Sequence, residues 1–73
     1  MKLKEAEILF NVNALQEPII TKQEGGWVVT LAGSHKLSPT LETSQGHVRL
    51  FKKLDAAVGV LFEVGFGEIK IVK

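Results

Sequence analysis

Leu54-Asp55-Ala56-Ala57-Val58-Gly59-Val60-Leu61-Phe62-Glu63-Val64-Gly65 is the stretch that decides the fold. Leu54, Ala57, Val58, Leu61 and Phe62 recur at the three- and four-residue spacing of one helical face. Asp55 suits the positive end of a helix dipole, Lys53 is a poor N-cap, and Gly65 stands where a helix can end in a positive-φ residue. The spacing predicts a helix over 53–64. Downstream, Glu68-Ile69-Lys70-Ile71-Val72 alternates and reads as a final short strand. Upstream, the elements are strands. His47 to Lys52 follows the turn signal Thr43-Ser44-Gln45-Gly46, and Leu37 to Thr43 pairs with it as a hairpin. Pro39 confines that partner to an edge or a strand start.

Trp27 to Ala32 is rich in β-branched residues and bounded by Gly25-Gly26 and Gly33, so it also reads as a strand. Glu17-Pro18-Ile19-Ile20-Thr21-Lys22 turns into it through Glu24-Gly25-Gly26. Residues 3–15 favour a helix with Ile8, Leu9, Val12 and Leu15 on one stripe; a strand with Ile8, Phe10 and Val12 inward is the alternative. Nothing repeats, and no linker divides residues 1–73, so one domain is expected. The expected class is α+β: a small, mostly antiparallel sheet with a C-terminal amphipathic helix packed on one face and a final short strand.

Composition narrows the function. Of 73 residues, 45% are hydrophobic and 23% charged, which excludes a disordered chain. There is no cysteine, hence no disulfide framework and no thiolate metal site. No apolar run approaches the roughly 20 residues that cross a bilayer. Glu5 and Glu7 fall where a signal peptide needs an apolar stretch, so a cytoplasmic protein is expected. One core of this size contributes little net stability, which makes a homodimer a natural expectation.

Catalytic patterns are weak. Ser34, Ser38 and Ser44 lack a nucleophile-elbow context, and the adjacency of Ser34 and His35 does not make a base. His35, His47 and Glu42 match no metal-ligand spacing. Gly25-Gly26 and Gly65-Phe66-Gly67 match no phosphate loop. The chain is therefore read as a non-enzyme with no metal site and no cofactor.

Charge patterning is more telling. Lys2, Lys4 and Lys22 stand against Glu5, Glu7, Glu17 and Glu24 in residues 1–34, net −1. Lys36, Arg49, Lys52 and Lys53 stand against Glu42 in residues 35–53, net +3. Residues 54–73 return to −1, and the whole chain is +1. If Val48 and Leu50 face the core, His47, Arg49 and Phe51 share the opposite face. Phe51 and His47 would stack bases, Arg49 and Lys52 would contact phosphate, and Lys36 and Lys53 would add steering charge. Trp27 either extends that face or joins the core. The other side of the C-terminal helix carries Ala56, Gly59, Val60 and Glu63, small enough for another backbone to approach. That side is read as a dimer or partner interface, or as close packing on the chain's own N-terminal segment.

The run Leu37-Ser38-Pro39, Leu41-Glu42-Thr43, Gly46, Val48-Arg49-Leu50-Phe51-Lys52, Leu54-Asp55-Ala56-Ala57, Gly65-Phe66 and Ile69-Lys70-Ile71 has a further bearing. With Glu17-Pro18-Ile19-Ile20-Thr21 and Gly26-Trp27, it resembles small accessory proteins of bacterial plasmids and integrative elements, loosely labelled replication or partition proteins. The order of sheet then helix is also similar to the transcriptional-coactivator and Whirly class of single-stranded-DNA binders. Here basic residues are fewer and a strand follows the helix. These readings converge on a dimeric, non-enzymatic nucleic-acid-binding accessory protein favouring single-stranded DNA. The rival is a protein-interaction module or inhibitor from a mobile genetic element, acting through the helix or a sheet edge.

Overall fold

The computed structural model describes residues 1–73. The fold is α+β, with order α1 (Leu3–Asn11), β1 (Ile19–Gln23), β2 (Gly26–Thr30), α2 (Leu54–Val64) and β3 (Lys70–Val72). The strand order in the sheet is β2-β1-β3. β1 and β2 form an antiparallel hairpin closed by Glu24-Gly25, with Ile20 opposite Val29 and Lys22 opposite Trp27. β3 pairs with β1 in parallel, Ile19 beside Lys70 and Thr21 beside Val72. The sheet is thus mostly antiparallel, as expected, with one parallel pairing that makes it mixed. The long excursion through α2 brings the chain back in the same direction as β1, as a parallel crossover must.

α2 forms as the spacing requires. No side chain caps its N-terminus at Lys53, and Gly65, at φ 127°, closes its C-terminus by donating its N–H to the Leu61 carbonyl. The inward stripe is Leu54, Ala57, Val58, Leu61 and Val64, however, and Phe62 is 58% exposed. Val60 is half-buried against the core, so of the predicted interface only Ala56, Gly59 and Glu63 face outward. A Cβ on Gly59 would meet nothing within 4 Å. The small-residue side therefore does not pack on the N-terminal segment.

α1 confirms the helical reading of the first third but is shorter and rotated. Leu3, Ala6, Leu9 and Phe10 turn inward, while Ile8 and Val12 are exposed. Asn13, at φ 58°, ends it, and Leu15 bridges Gly33. The Phe10 ring meets Phe66 edge-on with centroids 4.8 Å apart, a favoured aromatic geometry that ties α1 to the chain after α2.

The segment from 37 to 52 departs furthest from expectation. It reverses at Thr43–His47, but it pairs only through isolated bridges: Thr30 with Thr40, Glu42 with Val48 and with Lys2, and Trp27 with Phe51. Its facing is also inverted. Val48 is 55% and Leu50 46% exposed, whereas Phe51 is 6% exposed and belongs to the core. Period-2 alternation fixes which residues share a face, not which face is inward. Phe51 exchanges two backbone hydrogen bonds with Trp27, at 2.7 and 2.8 Å, and these draw its ring onto the core beside the sheet. Trp27 itself packs against the core edge, with the Lys22 ammonium 4.8 Å from its ring centre. No helix is long and apolar enough to cross a membrane.

Candidate anion-binding cleft

Three short extended pieces lie side by side where the chain's first residues meet the 41–49 reversal. Lys2 bridges Glu42 in parallel, and Glu42 bridges Val48 in antiparallel fashion. The Glu42 N–H donates to the Met1 carbonyl at 2.6 Å, and the Arg49 N–H to the Leu41 carbonyl at 2.9 Å. Leu41 anchors this patch in the core while its neighbours face solvent. Above it opens a cleft of about 620 Å³ lined by Lys2, Leu3 and Lys4 from one side and Glu42, Thr43, Ser44 and Arg49 from the other.

The cleft is cationic by pairing as well as by composition. Glu42 is its one carboxylate, and Oε1 of Glu42 accepts a 2.7 Å bond from the Met1 ammonium. That is the only ion pair in the chain, so Lys2, Lys4 and Arg49 have no carboxylate partner. Nearby Glu5 accepts the Lys2 backbone N–H at 2.8 Å, half of a capping box, since a lysine ammonium cannot accept in return. The Arg49 guanidinium carbon lies 4.8 Å from the Phe51 ring centre. A guanidinium held over a ring still has N–H groups to offer an anion. Thr43 Oγ1 accepts from the N–H groups of Gln45 and His47, both at 3.3 Å. With its lone pairs so engaged, its hydroxyl proton is left to donate. Leu3 and Lys4 belong to the first turn of α1, whose N–H groups lack intrahelical acceptors.

Of the predicted nucleic-acid contacts, only Arg49 lines the cleft. His47, Lys36, Lys52 and Lys53 are exposed elsewhere, His47 in the reversal and the two lysines just before α2. Phe51 is a core residue, so the His47–Phe51 stacking pair does not form. Lys2 and Lys4 are the cleft-lining cations that the sequence pattern does not single out. Their hint was local: two cations at the start of a helix, where the dipole disfavours positive charge.

The histidines do not converge. Nε2 of His35 lies 2.9 Å from the Leu31 carbonyl, which can only accept, so that nitrogen carries the proton; Nδ1 is buried without a partner. No three histidine, aspartate or glutamate side chains gather in one place. No family model, curated protein or solved structure matches the chain.

Proposed function

We propose that the protein is a non-enzymatic accessory protein that binds nucleic acid, single strands foremost, through the phosphate backbone. The observation that carries this reading is the cleft of Lys2, Lys4 and Arg49, three unpaired cations around hydroxyl donors with the one carboxylate already neutralised. The resemblance to plasmid and integrative-element accessory proteins points the same way, as does the positive middle third. Base stacking is not part of the reading, because Phe51 is buried. Affinity then comes from charge and depends steeply on salt.

A titration with a single-stranded oligonucleotide at low salt tests it. Binding near about 10 µM is expected, typical of contacts to phosphate alone. Releasing counterions from three phosphates gives a slope of about −2 in log affinity against log salt, so a fourfold rise in salt weakens binding about 20-fold. Lys4→Gln/Arg49→Gln should remove most of the affinity, while Lys36→Gln/Lys52→Gln, outside the cleft, should leave most of it. Absence of binding, or a larger loss from the second pair, overturns the assignment.

One observation favours a second reading, assembly through α2. Phe62 is 58% exposed beside the open space over Gly59, and Ala56 and Glu63 share that exposed side. A second copy of the chain is the occupant, because a core of only 11 buried hydrophobic residues gains from a partner's apolar surface. Sedimentation at tens of micromolar should then show a dimer, and Phe62→Glu a monomer. A monomeric wild type ends this reading.

A further inference from the structure

We infer that the cleft takes a terminal phosphate monoester, the phosphorylated end of a strand, in preference to an internal phosphodiester. This deepens the backbone-binding reading above and rests on it. The first ground is geometry. Lys2 and Lys4 at the head of α1 and Arg49 beyond the reversal meet at one cleft, and Lys36, Lys52 and Lys53 do not continue them along its wall. A groove that tracks a backbone spreads its cations along a path. Here all three line one cleft.

The second ground is hydrogen-bond polarity. The Thr43 hydroxyl has its acceptor sites filled by Gln45 and His47, and the carboxylate of Glu42 is engaged by the Met1 ammonium. The Arg49 guanidinium, the two ammonium groups and the Ser44 hydroxyl add donors. A predominantly donating cleft calls for a ligand made of acceptors. A monoester offers three terminal oxygens and a charge of about −1.5 to −2 at pH 7, because its second ionisation falls near pH 6. A diester offers two free oxygens and a single charge. The difference in charge acts on all three cations together.

The experiment compares a short oligothymidylate carrying a 5′-phosphate with the same strand ending in a 5′-hydroxyl, both labelled at the 3′ end, by fluorescence anisotropy at low salt. At pH 7 the phosphorylated strand should bind about tenfold more tightly, the extra charge facing three cations through screened, water-like surroundings. At about pH 5, where the monoester has lost its second charge, the preference should fall towards parity. Lys4→Gln/Arg49→Gln should abolish the preference. Ser44→Ala, at an exposed position, should reduce it without disturbing the core. Equal affinity for the two strands at pH 7 overturns the inference and leaves backbone binding standing. No binding of either strand overturns both. Inorganic phosphate that binds as tightly as the phosphorylated strand identifies a free-phosphate site, and the strand-end assignment then falls.

Discussion

Gly26→Ala is expected to remove most of the protein's stability at 25 °C. A Cβ at Gly26 would sit 2.3 Å from the Phe51 carbonyl oxygen and 3.0 Å from its carbonyl carbon, and φ there is +154°. The obstruction is backbone, so no side-chain rotation relieves it. Displacing Phe51 would break both of its hydrogen bonds to Trp27 and lift its ring from the core. Strain of about 1–3 kcal/mol and two hydrogen bonds at about 1 kcal/mol each sum to about 4 kcal/mol. The whole stability of a domain this size is about 5 kcal/mol. Thermal melting followed by circular dichroism should show a fall of about 20 °C or more. Gly67→Ala, where an added Cβ meets nothing within 4 Å, is the control and should melt close to the wild type. A fall of only a few degrees for Gly26→Ala would mean that the Trp27–Phe51 pairing is dispensable.

Leu41→Ala is expected to cost about 3–4 kcal/mol, the usual range for emptying a fully buried leucine site. Leu41 has no regular secondary structure around it, yet it is completely buried. Its N–H donates to the Val29 carbonyl at 2.8 Å, and its carbonyl accepts from Arg49. The residue therefore holds the cleft floor to the sheet. Urea unfolding gives the global loss. Amide exchange should additionally quicken at Glu42 and Arg49 before the whole molecule opens. Unchanged exchange at those two amides would show that the floor is held by Met1 and the reversal alone.

The elements with strong local determinants are legible in the sequence. α2 declared itself by periodicity and Gly65, and the β1–β2 hairpin by its β-branched runs and paired glycines. What was hidden depended on distant partners. Whether Phe51 or the Val48–Leu50 pair turns inward is decided by Trp27, twenty-four positions earlier. Phe62 extends the helical stripe in sequence, but the core ends at Val58, Leu61 and Val64. The direction of β3 could not be read from alternation, which is the same for parallel and antiparallel pairing. The cleft was hardest to foresee. Lys2 and Lys4 were counted in a slightly acidic third of the chain, and only the Lys2–Glu42 bridge brings them to Arg49.

The parallel pairing of β1 with β3 also sets the order of events as the chain folds. Ile19 and Lys70 are neighbours in the sheet but 51 positions apart in the chain. The β1–β2 hairpin closes over two residues, whereas β3 must wait until α2 has formed and turned back. Non-local closure of this kind is slow compared with hairpin formation. Until it happens, Ile19, Ile20 and Thr21 present an open strand edge to any other nascent chain. Exposure of that edge therefore lasts for as long as the crossover takes to close.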